Sequence, residues 1–221
     1  MKKRSCDNQI GNGDEDMRII EDRIHPEVFQ EFYGYLDEYP NDLNPEVIDN
    51  IKRKLVALAR SGTIESFRKI ETMIEQQTFS EVEKDFAIVS LNFCRFKIEN
   101  ELLDIPADMI SGGLGGSGNK LRYYVALIGK MGLSGDQCVE IEKVFNNVLS
   151  NYDSVLEELK YHDYYVSLLL LGSIDYAIGD LLSTAIARCG FLSKEYYLTN
   201  VEIPSDERIR DWVDGKLDES I

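Results

Sequence analysis

The residues Ser111-Gly112-Gly113-Leu114-Gly115-Gly116-Ser117-Gly118 separate two halves of the chain that carry different hydrophobic patterns. Before this segment, apolar residues recur every three or four positions, which is typical of amphipathic helices. After it, strand-like runs are interleaved with helical ones. Five glycines among eight residues make ordering of this backbone costly. We therefore predict that residues 109–119 form a flexible linker, or a loop that becomes ordered around something it binds.

The half before the glycine segment is predicted to be a helical subdomain over residues 25–108. Pro26 is suited to opening the first helix, and Asn44-Pro45 has the pattern of an N-cap followed by proline at the first helical position. Ser80 and Glu83 have the spacing of a capping box ahead of a long apolar-periodic segment. The subdomain should therefore contain several packed amphipathic helices.

The helix pair around Ser61-Gly62, with the capped helix that follows, resembles helical-repeat hairpins of the HEAT or tetratricopeptide kind over residues 44–103. No repeat of fixed period accompanies the resemblance. A plain helical bundle is therefore the preferred interpretation.

The half after the glycine segment is predicted to follow the order β-α-β-β-α-β over residues 120–203, which is the ferredoxin-like, or split βαβ, arrangement. Aromatic and β-branched residues favour strands at 121–128, 164–171 and 195–201. Residues 155–161 complete the strand set, but residues 155–171 also contain good helix-forming sequence. The prediction is thus an α+β fold, with an all-α fold as the alternative.

The two ends of the chain are predicted to lie outside these subdomains. Residues 1–24 are polar and charged, so we expect a disordered arm that buries little apolar area. Residues 204–221 should form a C-terminal helix and tail, with Ser205 as the N-cap and Trp212 within the helix.

The chain is strongly acidic, with 40 Asp and Glu against 24 Lys and Arg, a net charge of −16 and a pI near 4.5. A surface of this sign repels nucleic-acid phosphates and anionic lipid headgroups, and it attracts basic proteins. The four cysteines are far apart and no segment has the length of a membrane span, so we expect a cytoplasmic protein. We expect no nucleic acid and no membrane as partners, and a homo-oligomer is left open.

The glycine segment nearly matches a phosphate-binding loop, but Asn119 is inserted before Lys120 and no Ser or Thr follows the lysine. The segment also leads into a predicted strand, whereas a phosphate loop opens a helix. Nucleotide binding is therefore not predicted. If the segment instead closes over a small ligand, the expected contacts are the cations and glycines at its end, namely Lys120, Arg122, Gly113, Gly116 and Gly118.

Two further groups of side chains merit consideration as functional residues. His162 stands beside Asp163, yet the sequence places no nucleophile near it, so no catalytic role is assigned. An open face of the predicted sheet would expose aromatic side chains that suit a protein partner. These candidate contacts are Tyr123, Tyr124, Tyr164, Tyr165 and Trp212.

Two functional hypotheses follow. The first is a non-catalytic interaction or regulatory protein, such as an acidic inhibitor or immunity-type binder of a basic partner. The second is a small-molecule-binding protein or enzyme whose site lies between the subdomains and is closed by residues 111–119. No motif indicates a cofactor, a metal or a catalytic residue, so none is predicted.

Overall fold

The computed structural model describes residues 16–38, 45, 48–76, 79–103, 107–162 and 165–216, and it confirms the α+β class. The strands are β1 (Asp16–Ile19), β2 (Ala107–Ile110), β3 (Gly116–Ser117), β4 (Lys120–Gly129), β5 (Val155–Tyr161), β6 (Tyr165–Ser173) and β7 (Leu192–Thr199). The helices are α1 (Pro26–Glu38), α2 (Ile51–Ser61), α3 (Ile64–Gln76), α4 (Glu81–Leu103), α5 (Gly135–Ser150), α6 (Ile178–Arg188) and α7 (Asp206–Val213).

Helices α1 to α4 pack around one hydrophobic core, with α4 in contact with the other three. Phe32 of α1 is fully buried at its centre, and its ring meets Phe86 and Phe93 of α4 edge to face at 5.6 and 5.4 Å. Edge-to-face pairs add to the stabilisation from apolar burial. Within the described residues, no helix is long and apolar enough to cross a membrane.

Helix starts follow local sequence rules, with one correction. Ser80 and Glu83 form the predicted capping box at α4, and Ser205 caps α7 as predicted. The second helix, however, begins at Ile51 with Asn50 as its N-cap, and not at Asn44-Pro45. Asn44 itself lies outside the described residues.

Residues 120–199 contain β4, α5, β5, β6, α6 and β7 in the predicted order of strands and helices. Strand β4 pairs antiparallel with β6 on one side and with β7 on the other, and β5 pairs antiparallel with β6. Residues 155–161 and 165–173 are thus strands, so the all-α alternative is wrong. Side chains alternate between the two faces of the sheet. Val125, Leu127, Val166, Leu168 and Leu170 lie in one core with α5 and α6.

The opposite face of the sheet is covered by α7. Ile209 of this helix is fully buried in a small core with Tyr124, Ala126, Tyr165 and Leu169. The C-terminal helix therefore closes a face that the sequence analysis expected to be open.

Part of the predicted N-terminal arm is ordered. Residues Asp16–Ile19 form β1, which pairs in parallel with β2 on the far side of the four helices. Ile19, Ile20 and Ile24 are buried. The expectation of a disordered arm is thus wrong for residues 16–24, because these isoleucines find apolar neighbours that are distant in sequence.

Candidate functional site

The glycine-rich segment is a packed crossing of three chain stretches and not a free connector. Ile24 N–H donates to Gly113 O at 3.1 Å, and Leu114 N–H donates to Asn200 O at 3.0 Å. Gly116 N–H donates to Glu21 O at 3.1 Å. The segment thus bonds to residues near the N-terminus and also to the end of the sheet.

The crossing requires glycine at two positions. A Cβ on Gly113 would lie 2.0 Å from Val201 O, which no side chain can tolerate. Gly115 has φ +71° and a Cβ there would lie 2.3 Å from Glu21 O, so it needs both the left-handed backbone and the space. These glycines serve close backbone approach, which is an alternative to the linker and loop interpretations made from the sequence.

The side chains proposed as anion ligands are already occupied by carboxylates. Lys120 Nζ lies 2.9 Å from Asp153 Oδ2. Arg122 binds Glu157 through two hydrogen bonds, which raises the pKa of the guanidinium, and it also donates to Leu114 O at 2.8 Å. Gly118 N–H likewise donates to Glu21 Oε1 at 2.9 Å. No described donor of this group is left facing a ligand-sized space.

A cleft of about 570 Å³ does lie at the junction of the two subdomains. Gly113 and Leu114 of the glycine-rich segment line it, but Lys120 and Arg122 do not. Three aliphatic side chains at the cleft remain exposed, Val82 by 45%, Val201 by 42% and Ile203 by 48%. Its charged lining residues are Arg23, Lys84, Glu81, Asp85 and Glu202.

The predicted tyrosine contacts are mostly not at the surface. Tyr124 and Tyr165 are buried beneath α7, and Tyr123 packs partly buried on the other face, against the core shared with α5 and α6. Trp212 is half-buried and meets Tyr197 edge to face at 5.8 Å. Tyr164 lies outside the described residues. The expectation of an exposed tyrosine face is therefore wrong for Tyr124 and Tyr165.

The two buried tyrosines belong instead to a polar cluster between the sheet and α7. His162 Nε2 lies 3.0 Å from Ser167 Oγ on β6. Tyr165 O–H donates to Asp206 Oδ1 at 2.9 Å, and the same carboxylate oxygen lies 3.9 Å from His162 Nδ1. The Tyr124 hydroxyl shares hydrogen bonds with Ser167 and Tyr165.

Local geometry explains why these side chains meet. Tyr165 and Ser167 are two residues apart on β6, so both point to the α7 face. His162 follows β5 at the hairpin, where its N–H donates to Tyr165 O at 2.9 Å. The imidazole then stacks on the Tyr165 ring with centroids 4.0 Å apart and an angle of 9° between the planes. Asp206 reaches the cluster from the first turn of α7.

Burial keeps the tyrosines of the cluster protonated. It raises the pKa of Tyr124, and it raises the pKa of Tyr165 further because the phenol also donates to Asp206. Both hydroxyls therefore act as hydrogen-bond donors at neutral pH.

The cluster borders a small chamber of about 110 Å³ on the α7 face of the sheet. Lys160 and Glu158 of β5 form one wall, and Ile203 and Pro204 lie over it. Ser167 is only 5% exposed but it lines this chamber. The sequence analysis missed this arrangement, because the nucleophile it sought near His162 comes from the other strand of the hairpin.

The described cysteines and carboxylates do not form a comparable site. Burial raises the pKa of Cys94 and of Cys189 to about 11, so both thiols stay protonated. Among the described residues, no three His, Cys, Asp or Glu side chains converge as metal ligands would.

Comparisons with known proteins add little. No family model matches the chain, and no curated protein matches it. Among solved structures, a candidate transposase from Deinococcus radiodurans is 16% identical, with a TM-score of 0.38. The match covers 46% of this chain and 94% of that protein. A likeness of this size carries no argument about function.

Proposed function

We propose that this chain is an interaction protein that binds a basic segment of a partner protein at the cleft between its subdomains. The observation that carries the proposal is the gathering of Val82, Val201 and Ile203, all exposed, around one concave surface. Exposed aliphatic residues that share a cleft are typical of an interaction surface, whereas scattered ones are not.

The charge of the molecule indicates the sign of the partner. The chain carries −16 overall, and Glu81, Asp85 and Glu202 line the cleft beside Arg23 and Lys84. Helix α1, which begins at the cleft with Pro26, contains four acidic residues and no basic one. Such a field raises the association rate of a basic partner and opposes an acidic one.

The proposed occupant is therefore a Lys- or Arg-rich segment that also carries an aliphatic side chain. The aliphatic group would pack on Val201 and Ile203 while its flanking cations face the carboxylates. The chain would act as an inhibitor or regulator by covering that segment.

A designed peptide provides the test. A fluorescein-labelled peptide of alternating Arg and Leu, and a second peptide with Ser in place of Leu, would be titrated with the protein by fluorescence anisotropy. We expect tighter binding of the Leu peptide, and an affinity that falls as salt rises from about 50 to 200 mM.

The decisive variant is Ile203→Asp, with Val139→Asp as the matched control. Val139 is equally exposed at 48%, but it lies on α5 and away from the cleft. Each substitution adds a negative charge that should strengthen unspecific attraction, so weakening of about tenfold by Ile203→Asp alone supports the cleft. Equal behaviour of the two variants, or binding that ignores salt, would contradict the proposal.

The alternative function, a small-molecule site between the subdomains, would use the same cleft. A ligand there would contact Gly113 and Leu114 and not Lys120, which is paired with Asp153. Thermal stabilisation by a metabolite in the wild-type protein that is lost in Ile203→Asp, without any peptide binding, would favour this alternative.

We also propose that residues 120–203 are a ferredoxin-like unit. The order β-α-β-β-α-β and the antiparallel neighbours β7–β4, β4–β6 and β6–β5 support this assignment. A cytoplasmic location and the absence of nucleic-acid binding remain expectations from charge and cysteine usage.

A further inference from the structure

We propose that Ser167 is the nucleophile, and His162 the general base, of an acyl-transfer site that hydrolyses small esters in the chamber beneath α7. Ser167 Oγ lies 3.0 Å from His162 Nε2, within the distance at which an imidazole takes a proton from a hydroxyl. A nucleophile that contacts a base oriented by a third group is the usual signature of covalent catalysis. This inference does not depend on the proposed protein binding.

Asp206 and Tyr165 orient the imidazole. The Asp206 carboxylate oxygen lies 3.9 Å from His162 Nδ1, so its charge favours the tautomer that carries its proton on Nδ1. The Nε2 lone pair then faces the Ser167 hydroxyl. The stacked ring of Tyr165 fixes the imidazole plane and lies against the imidazolium that forms when the base is protonated.

Tyr124 supplies a donor for the charge that develops during attack. Its hydroxyl already bonds to Ser167, and it stays protonated because burial raises its pKa. Lys160 stands opposite Ser167 in the β5–β6 register and lines the same chamber. Donors placed in a confined site stabilise an oxyanion more strongly than water does.

The chamber limits the substrate to a short acyl group such as acetyl. Its volume is about 110 Å³, and Leu169, Ile203 and Pro204 provide apolar walls. The leaving alcohol would extend towards the open side of the chamber.

The chemistry balances with water as the co-substrate. Ser167 Oγ bonds to the acyl carbon while its proton moves to His162 Nε2. The bond from that carbon to the alcohol oxygen then breaks, and the alcohol leaves with the proton from Nε2. Water next attacks the acyl-serine and gives one proton to Nε2. The carboxylic acid departs as Ser167 recovers that proton, so ester and water become acid and alcohol.

The same contacts could serve only to hold α7 on the sheet, and covalent labelling separates the two roles. The wild-type protein would be incubated with a fluorophosphonate probe, and its peptides would be mapped by mass spectrometry. We expect one adduct, on Ser167. The adduct should be absent from Ser167→Ala and present in Ser183→Ala, a matched change of an exposed serine on α6.

His162→Gln should slow labelling about a hundredfold or more, as expected for loss of a general base. An adduct that is absent from Ser167 in the wild-type protein overturns the proposal, whatever the variants do. Because this result is read on the wild type, it does not require that any variant fold.

Hydrolysis of p-nitrophenyl acetate provides a second readout. We expect Ser167→Ala to lower kcat/KM about a hundredfold or more. Asp206→Asn, which changes a positioning residue, should lower kcat while KM stays within about twofold. Trp212 emission would show that α7 is still docked in each variant. Unchanged hydrolysis in a folded Ser167→Ala protein overturns the proposal.

Discussion

Gly113 shows how a single residue type can determine where chain segments cross. Its α-carbon leaves room for the backbone of Val201, and the same residue accepts a hydrogen bond from Ile24 through its carbonyl. The need is one of space, since its φ lies outside the left-handed region. The glycine content of this segment therefore has a steric origin.

Gly113→Ala is expected to destabilise the protein by about 2 to 3 kcal/mol, because the new methyl group must displace the Val201 carbonyl. Urea denaturation would measure the change. Gly135→Ala is the control, since a Cβ there meets nothing within 4 Å and α5 gains a better helix former. Similar midpoints for the two variants would contradict the steric explanation.

At the level of elements, α7 is a short helix held by few contacts, and it carries the only tryptophan of the chain. Ile209 is its fully buried anchor, and Trp212 packs on Tyr197. The helix thus covers a sheet face while it reports on its own docking through fluorescence.

Ile209→Ala should remove about 2 to 4 kcal/mol of docking free energy from α7, since it empties a buried site. Trp212 emission should then shift to the red at urea concentrations that leave the wild-type spectrum unchanged. Arg210→Ala, at an exposed position of the same helix, should leave the spectrum as it is. If both variants behave alike, Ile209 is not the anchor.

The start of α4 predicts a specific dependence on pH. Glu83 accepts hydrogen bonds from the Ser80 N–H at 3.0 Å and from the Ser80 hydroxyl at 2.8 Å, which lower its pKa below the ordinary value of 4.5. A lowered pKa stabilises the folded state above the unfolded value, and the gain is lost as pH falls through the folded value.

Glu83→Gln should therefore be less stable than the wild type above about pH 4.5, with the difference shrinking at lower pH. Urea unfolding at a series of pH values between about 3 and 7 would test this. Ser80→Ala serves as the control, because it removes one of the two donors that favour the carboxylate and should reduce the same pH dependence. A difference that grows on acidification would contradict the assigned cause.

Local elements were the part of the fold that the sequence could predict. The capping boxes at Ser80 and Ser134 act over three residues, so their pattern is visible without tertiary information. Strand β1 was missed because its four residues are stabilised by pairing with β2, more than eighty residues away. Averaged polarity around it hid Ile19 and Ile20.

The candidate sites could not be predicted for the same reason. Ser167 meets His162 only through a hairpin, and Asp206 joins them from a helix some forty residues further on. Spacing in the chain encodes neither contact. The tyrosines were found correctly as strand residues, but their burial depends on α7, whose docking position no local pattern indicates.

On the scale of the whole molecule, the two subdomains share a junction where residues 19–24, 112–116 and 200–201 exchange backbone hydrogen bonds and close contacts. The packed glycine segment belongs to both subdomains. Loss of order in one should therefore expose the backbone groups that hold the other.

We expect the two cores to unfold together in urea. Trp212 emission reports the sheet with α7, whereas ellipticity at 222 nm is dominated by the helices, most of whose residues lie in α1 to α4. Coincident midpoints for the two signals are the expected result. Two separated transitions would show that the junction does not couple the subdomains.

The parallel pairing of β1 with β2 has a consequence for synthesis of the protein. The ribosome delivers Ile19 and Ile20 before any of the four helices, but their partner Ile110 is translated only after all of them. The nascent chain must therefore carry an unmated strand while the bundle is assembled. Closing this clasp is a late event, and until then the start of the polypeptide is open to chaperones and proteases.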